Sequence, residues 1–232
     1  MAKRSKLYRS RLETIDQQKI YSLREAVEAI RSMPQAKFDE TVDIALLLGV
    51  DPRKGDQNVR GAVALPHGTG KSVTVAVVAA DDAAKQAEEA GADFVGFEDL
   101  IAKIADGWLE FDVLIATPAA MAHLRKLGRV LGPRGLMPNP KTGTVTENTK
   151  DAVTQAKAGR VEYRTDRQAN VHVPVGKVSF DAEKLVENVE ALMDAINRAK
   201  PATAKGTYIQ GCTLASTMSP GIKVDTREFT RI

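Results

Sequence analysis

The middle of the chain alternates short, continuously apolar runs with segments of helical pattern, and this alternation constrains the fold more than any other feature. Runs at residues 73–79, 94–95 and 111–116 are apolar on both faces, which is typical of strands in a parallel sheet covered on both sides. Helices are predicted between and after them. Residues 68–159 therefore predict an inserted, doubly wound α/β (Rossmann-like) domain.

The two ends of the chain have a different texture. Residues 42–48 alternate with a period close to two, residues 59–65 read as a second strand, and further strands are predicted at 207–214 and 222–224. The late strands need partners, and the early strands can supply them. We therefore predict a discontinuous α+β sandwich domain built from residues 1–67 and 160–232, with two domains in all.

Two more elements are predicted in this outer domain. Residues 161–165 and 170–175 alternate with period two around a turn, which predicts a β-hairpin with one solvated face. Residues 181–199 predict an amphipathic helix that buries Leu185, Val189, Leu192, Met193 and Ile196. A capping box at Ser22 and Glu25 predicts the start of an earlier helix.

Charge is distributed unevenly along the chain, although the formal net charge is only +3. Residues 68–159 hold 10 Lys and Arg against 12 Asp and Glu, whereas the remainder holds 23 against 18. A basic arm at residues 3–11 adds to this excess, as a fraying helix or a phosphate-binding tail. The excess at the ends is compatible with a solvated surface or with a polyanionic partner.

Several classes of protein are disfavoured. No apolar run approaches the ~20 residues of a membrane span, and Cys212 is the single cysteine, so no internal disulfide is possible and a cytoplasmic setting is expected. The three histidines, His67, His123 and His172, lie far apart without metal-ligand spacing. We predict no catalytic residues, no metal and no cofactor.

The segment PHGTGKS at residues 66–72 resembles a phosphate-binding loop but fails its pattern. The first glycine of such a loop would have to occupy the position of Leu65, and a strand rather than a helix follows. The same segment is better interpreted as a connection between domains. Two such connections are predicted to act as hinges that permit open and closed arrangements, at Pro66, Gly68 and Gly159.

Residues 128–146 hold four glycines and three prolines, which excludes a regular helix or an interior strand. Leu131, Leu136 and Met137 stand among these residues and predict an ordered loop that is anchored to a core. We expect at most secondary phosphate contacts from the cations of this loop, Arg129, Arg134 and Lys141.

Short polar turns recur in the outer domain. Lys37 and Phe38 precede a strand, and residues 216–219 form a turn of hydroxyl-bearing and small residues. Taken alone, Phe38 favours a core position and His172 favours sheet surface and ligand contact equally. Together, within the more basic part of the chain, these turns favour a nucleic-acid surface. The hydroxyl of Thr217 is expected to face RNA, with a hydrogen bond to a neighbouring turn amide as the alternative.

Four segments of the sequence resemble the bacterial large-subunit ribosomal protein L-one family: LGPRGLMPNPKTGTV, KFDETVDIALLLGVDPRKGDQNVRG, VHVPVGKVSF and STMSPGIKVD. The resemblance implies a two-domain protein, monomeric when free, that is not an enzyme. It would bind the mobile stalk of large-subunit ribosomal RNA beside the exit-site transfer RNA, take part in release of deacylated transfer RNA, and repress translation of its own operon messenger RNA. It places the RNA-binding site on Lys37, Phe38, Thr41, Arg164, Asp166, Arg167, Asn170, His172, Ser216, Thr217, Met218 and Ser219.

The chain departs from the family pattern at a few of these positions. Ser219 stands where the family usually has glycine, so a side chain occupies a point of expected close approach. Arg167 and Ala169 stand where the family often has lysine and glycine. The alternative function is an enzyme or nucleotide-binding protein that uses the middle α/β domain, and a third hypothesis makes the basic ends protein-interaction surfaces.

Overall fold

The computed structural model describes residues 4–229. The chain forms two compact units, one from Met1–Gly70 with Val161–Ile232 and the other from Lys71–Arg160. We call them the terminal unit and the inserted unit. The mixed α+β and α/β fold class is confirmed. The exact domain boundaries, 1–67 with 160–232 and 68–159, and the role of each domain stay predictions.

Helices and strands follow one another along the chain with short connections. The α-helices are α1 (Lys6–Glu13), α2 (Leu23–Ser32), α3 (Asp81–Glu89), α4 (Glu98–Ala105), α5 (Met121–Leu124), α6 (Gly128–Leu131), α7 (Thr149–Lys157) and α8 (Ala182–Arg198). The strands are β1 (Thr41–Leu48), β2 (Arg60–Ala64), β3 (Val75–Val78), β4 (Phe94–Gly96), β5 (Val113–Ala116), β6 (Arg160–Arg164), β7 (Asn170–Lys177), β8 (Ile209–Ser216) and β9 (Ile222–Val224).

The main sheet of the terminal unit has the strand order β7-β1-β8-β9. Strand β1 comes from the N-terminal part of the chain and pairs antiparallel with β7 and β8 from the C-terminal part. Alternate β1 side chains, such as Ile44 and Leu46, are fully buried in one hydrophobic core with α2 and α8. The two ends of the chain are thus joined by backbone pairing and a common core.

Helix α8 carries the largest part of that core. All five apolar residues predicted for its buried face are at most 1% exposed: Leu185, Val189, Leu192, Met193 and Ile196. Burial of each such side chain contributes about 1.5–3 kcal/mol. Helix α2 begins at the predicted capping box, in which Ser22 and Glu25 bond reciprocally to each other's backbone N–H.

The predicted hairpin of residues 161–175 is wrong. Strand β6 pairs with β2 in a separate two-stranded sheet, whereas β7 pairs with β1 in the main sheet. The connecting bend is tight, since the Asp166 N–H donates to the Asn170 oxygen at 2.8 Å. The period-two alternation predicts both strands correctly, but it does not specify which strand each one pairs with.

Helix α1 is capped by Ser5, whose hydroxyl accepts from the Tyr8 N–H. Arg11 in this helix is 2% exposed and is bound to Glu40, so it is not part of a solvent-exposed phosphate-binding tail. At Arg11 the helix alternative therefore holds, and the phosphate-binding alternative does not. Lys3, which belongs to the same predicted arm, lies outside the described residues.

The inserted unit has a three-stranded parallel sheet in the order β4-β3-β5. Alternate residues of β3 enter two different cores: Ala76 and Val78 pack on one side, Val75 and Val77 on the other. Helices therefore cover both faces, as the continuously apolar strands predicted. No helix in the described part of the chain is long and apolar enough to cross a membrane.

The segment 128–146 is anchored as predicted, but it is not free of helix. The helix that precedes the segment begins at Met121, passes through a 3-10 turn at Arg125–Leu127 and continues as α6 to Leu131. Two glycines in helical geometry cost about 1 kcal/mol each relative to alanine. Full burial of Leu131 offsets part of this cost. Leu136 and Met137 pack against the same core.

Candidate nucleic-acid interface

The main sheet of the terminal unit has one covered face and one face with exposed or half-buried side chains. On β1 the second set comprises Thr41, Asp43, Ala45 and Leu47, which alternate with the buried residues. Pairing register carries the pattern across the sheet, because His172, Ala45, Thr213 and Lys223 stand opposite one another on successive strands. We call this surface the open face.

Seven predicted site residues meet where β1 begins and β8 ends, and we call them the turn cluster: Lys37, Phe38, Thr41, Ser216, Thr217, Met218 and Ser219. Backbone bonds join the two segments, since the Thr217 N–H donates to the Thr41 oxygen at 3.1 Å. Ser216 Oγ and the Met218 N–H both donate to the carboxylate of Glu40, at 2.7 and 3.0 Å. The turn is therefore held in place by a buried acid.

Phe38 is 53% exposed, which corrects the core position that its sequence context favours when taken alone. Residues 37 and 38 precede β1 in a bend, and Glu40 occupies the inward position next to the strand. Met218 is 45% exposed. The turn cluster thus presents two apolar side chains beside the exposed cation Lys37.

Thr217 is exposed, but its hydroxyl is already hydrogen-bonded within the protein. Thr217 Oγ1 accepts from the Thr41 N–H at 3.1 Å and lies 3.4 Å from the Thr41 oxygen. The hydroxyl therefore bonds to the backbone at the start of β1 rather than to a neighbouring amide of its own turn. A threonine oxygen has two lone pairs, so this bond leaves further hydrogen-bonding capacity on the exposed side.

Ser219, at the position of the family glycine, turns its side chain back onto its own turn. Its Oγ accepts from the Ser216 N–H at 2.8 Å and lies 3.0 Å from the Pro220 oxygen. The side chain is half-buried. The serine thus closes the turn internally rather than projecting as a free hydroxyl.

The remaining predicted site residues form a second group around the bend between β6 and β7, and we call it the bend cluster: Arg164, Asp166, Arg167, Asn170 and His172. Arg164, Arg167 and His172 are exposed. The Asp166 carboxylate accepts from the N–H groups of Asn170 and Gln168, each at 2.8 Å. These bonds, the Asn170 N–H first, hold the pKa of Asp166 below its usual range.

Ala169 in this bend is the one non-glycine residue between positions 4 and 229 with a positive φ, at 64°. This left-handed geometry favours glycine. It accounts for the glycine that the family often has at this position. Ala169 is 5% exposed, so the bend packs closely in spite of the strain.

The two clusters lie at opposite ends of β1. Thr41 at its start belongs to the turn cluster, whereas Leu47 near its end pairs with Asn170 of the bend cluster. Six residues of strand separate these points by about 20 Å. His172 pairs with Ala45 and so lies between them. The predicted site is therefore an elongated surface along the open face, which sequence proximity did not reveal.

The sequence interpretation did not include three charged residues of the open face, Asp43, Lys177 and Lys223. Asp43 lies between the clusters, and burial raises the pKa of its carboxyl, although His172 and Lys177 oppose the shift. Lys177 Nζ donates to Thr41 Oγ1 at 2.9 Å. The alternation of buried residues at 42, 44 and 46 already placed position 43 on the same face as Thr41. That signal was available in the sequence.

The residues predicted for secondary contacts and for hinges lie away from these clusters in sequence. Arg129, Arg134 and Lys141 are exposed on the inserted unit. In the terminal unit, the buried Asn188 of α8 accepts from the His67 N–H and donates to the Gly68 oxygen, both at 3.0 Å. Pro66 adjoins this fixed segment, and Gly159 has a φ of 96°. Hinge motion at Pro66, Gly68 and Gly159 stays a prediction.

Within residues 4–229, no group of three or more His, Cys, Asp or Glu side chains could hold a metal ion. Cys212 is buried, and burial raises the pKa of its thiol to about 12. It is thus a protonated, inert thiol at neutral pH.

Comparison with known proteins shows the family. A sequence profile of the ribosomal protein L1p/L10e family matches residues 29–220. The chain is 57% identical to the large ribosomal subunit protein uL1 of Lactiplantibacillus plantarum over 229 residues, which covers 99% of this chain and all of that protein. The chain therefore belongs to the ribosomal protein L1p/L10e family, whose members are structural ribosomal proteins and not enzymes.

Proposed function

We propose that this protein, as a constituent of the large ribosomal subunit, binds the mobile ribosomal RNA stalk near the exit site through the open face of its terminal unit. By this contact it would take part in release of deacylated transfer RNA. We further propose that the same surface binds the protein's own operon messenger RNA and represses its translation.

The observation that carries the proposal is the composition of the open face. Exposed cations lie next to its two ends, Lys37 just ahead of β1 and Arg164 and Arg167 around the bend that leads into β7, with hydroxyl and amide groups between them. Structured RNA offers phosphates for the cations and 2′-hydroxyls for the polar groups. An elongated surface of about 20 Å between the clusters is long enough to contact several nucleotides.

Apolar side chains support the same proposal. Phe38 and Met218 are both about half exposed in the turn cluster, where solvation of their apolar surface is unfavourable. RNA-binding proteins stack unpaired bases and riboses on such side chains. Phe38 beside Lys37 thus offers a stacking surface next to a phosphate contact.

A nucleotide site at the start of α3 or α4, the helices that follow β3 and β4 of the inserted unit, lacks the chemistry that it would need. Phosphates bind at helix N-termini that follow the strands of a parallel sheet. Here α4 carries Glu98 and Asp99 in its first turn, and the sequence places Asp82 in the first turn of α3. Carboxylates at these positions repel a phosphate.

Two exposed phenylalanines provide a matched test of the proposal. Phe38→Ala in the terminal unit and Phe94→Ala in the inserted unit remove the same side chain from surfaces of similar exposure, 53% and 39%. We expect the first to weaken binding of a stalk ribosomal RNA transcript by about 1–3 kcal/mol and the second to leave it unchanged. Filter binding with the full chain, at several salt concentrations, measures both. If wild-type protein binds the stalk transcript no better than a scrambled transcript, the proposed function is wrong.

The regulatory part of the proposal needs a separate measurement. A translation reporter that carries the leader of the protein's own operon messenger RNA should be repressed by added wild-type protein. Phe38→Ala should lose repression in the same proportion as stalk affinity, because one surface serves both RNAs. Repression that survives complete loss of stalk binding would show that the two RNAs use different surfaces.

The contribution to transfer RNA release is tested on ribosomes reconstituted with or without the protein. We expect deacylated transfer RNA to leave the exit site more slowly without it, and wild-type protein to restore the rate. An unchanged release rate would contradict this part of the proposal while leaving RNA binding intact.

A further inference from the structure

Glu40 is a buried acid that collects hydrogen bonds from three separate segments of the chain. It is 3% exposed and forms an ion pair with Arg11 of helix α1, which is 2% exposed. Arg11 Nη1 donates to Glu40 Oε2 at 2.9 Å, and Arg11 Nη2 contacts Oε1. Arg11 Nε also donates to the Pro34 oxygen at 2.7 Å, so all three nitrogens of the guanidinium bond to the protein.

The remaining bonds of Glu40 lead directly to the turn cluster. Oε2 accepts from Ser216 Oγ at 2.7 Å and from the Met218 N–H at 3.0 Å, and so spans Thr217 between them. Oε1 accepts from the Ala36 N–H at 3.3 Å, on the bend that carries Lys37 and Phe38. One carboxylate therefore fixes both segments of the turn cluster, and Arg11 fixes the carboxylate.

A buried ion pair contributes little net stability compared with apolar residues of similar size, because desolvation offsets the attraction between the charges. The bonds of Glu40 to the turn are therefore better explained by positioning than by stability. We propose that Arg11 and Glu40 are positioning residues for RNA binding, which hold residues 216–218 in the arrangement that presents Thr217 and Met218 to RNA. This inference rests on the proposed function of the open face.

Helix α1 acquires a role through this pair. Of the two alternatives for the basic N-terminal arm, a helix or a phosphate-binding tail, Arg11 follows the first: it is turned inward and acts on RNA only through Glu40. Single substitutions at either position leave the opposite charge buried without a partner and threaten the fold. The test therefore replaces both residues together.

Two double variants separate positioning from folding. R11M/E40Q and R11M/E40L both remove the two charges and keep side chains of similar size, but only E40Q retains a side-chain oxygen that can accept from Ser216 or Met218. We expect R11M/E40L to bind the stalk transcript about tenfold or more weakly than R11M/E40Q, because its turn loses the acceptor. The salt slopes of the two variants should agree, since neither residue contacts phosphate.

Measurements without RNA provide a second readout. Amide hydrogen exchange at Thr217 and Met218 should be faster in R11M/E40L than in R11M/E40Q, whereas exchange in the core of α8 should be equal. Equal RNA affinity of the two folded variants, or equal exchange at the turn, would overturn the positioning role. If wild-type protein fails to bind the stalk transcript, the proposed function is wrong, and the exchange experiment still decides whether Glu40 orders the turn.

Discussion

The two units of this protein differ in how many faces of their main sheet are covered by helices. The inserted unit covers both faces of its parallel sheet, so the side chains of β3 alternate between two cores. The terminal unit covers one face of its antiparallel sheet with α2 and α8, and leaves alternate residues of β1 exposed or half-buried. An antiparallel sheet can carry a ligand-facing surface on its strands, whereas a doubly covered sheet can offer only its loops. The difference predicts which unit carries the main RNA surface.

The largest expected effect comes from separating the units. A chain in which residues 1–67 are joined to 160–232 by a short linker should fold and bind the stalk transcript with nearly the affinity of the full protein. Residues 68–159 alone should bind it about 100-fold or more weakly, because they lack both clusters. Filter binding and circular dichroism on each piece test this. Strong binding by the inserted unit would reverse the comparison.

The loss of folding stability at low pH should also be larger for the terminal unit than for the inserted unit. The bonds from Arg11, followed by those from Ser216 and Met218, lower the pKa of Glu40 to about 2. A lowered pKa contributes stability that is present above the unfolded value near 4.3 and is lost as the pH falls toward 2. Relative to the fold with a protonated Glu40 and a buried, unpaired Arg11, this contribution is of the order of 3 kcal/mol at neutral pH; it does not compare the ion pair with apolar residues.

R11M/E40Q, which removes both charges of the buried pair, should therefore flatten the dependence of unfolding free energy on pH between about 5 and 2. Asp112 of the inserted unit provides the comparison, because its pKa is also lowered, by Lys71 first, but its side chain is 36% exposed. D112N should flatten the curve less. Urea unfolding at several pH values measures both, and an equal effect would show that burial of Glu40 is not decisive.

Removal of the Thr217 hydroxyl tests the turn cluster at one atom. Thr217→Val keeps the shape of the side chain and should cost about 1–3 kcal/mol of stalk affinity. Stability should fall by less than about 1 kcal/mol, because the bond to the exposed Thr41 N–H can be replaced by water. Thr154→Val in the inserted unit, where the hydroxyl donates to the Lys150 oxygen, is the matched control and should leave affinity unchanged. Unchanged affinity of Thr217→Val, with lower stability, would mean that the hydroxyl serves only the turn.

Cations on the two units should differ in how much they contribute to the salt dependence of RNA affinity. Exchange of Arg129, Arg134 and Lys141 for Gln should lower the salt slope only slightly, since these residues lie on the inserted unit. R164Q/R167Q in the bend cluster removes fewer charges but should lower the slope more, by roughly 0.7–0.9 for each phosphate that is no longer neutralised. Titrations at several salt concentrations compare the two variants. A larger decrease for the triple variant, with its fold intact, would move the main site to the inserted unit.

The smallest expected effect concerns backbone strain at Ala169. Its positive φ of 64° is unfavourable for alanine, so Ala169→Gly should raise the unfolding free energy by up to about 1 kcal/mol. Ala45→Gly in β1 relieves no backbone strain and should lower the unfolding free energy by about 0.5–1 kcal/mol. Chemical denaturation at neutral pH distinguishes the two. A loss of stability in Ala169→Gly would show that its buried methyl group outweighs the strain.

Much of the fold could be predicted from local patterns. Continuous apolar runs identified the covered parallel sheet, the 3.6-residue period identified the buried face of α8, and the capping box located the start of α2. These signals are local because side-chain periodicity reports which face of an element is buried. The same patterns predict that strands from the two ends of the chain pair in one domain, since unpaired strands at one end require partners from the other.

Tertiary structure alone decided the arrangement of the candidate site. Period-two alternation is the same whichever strand lies alongside, so the sequence could not show that β6 pairs with β2 rather than with β7. Nor could the sequence show that the turn cluster and the bend cluster lie at opposite ends of β1. Arg11 and Glu40 are 29 residues apart, and only the packing of α1 against the start of β1 makes an exposed-looking arginine a buried partner. The sequence determined which faces of the long helices and strands turn inward, because that follows from periodicity; long-range packing determined which residues meet and that Arg11 is buried and Phe38 exposed.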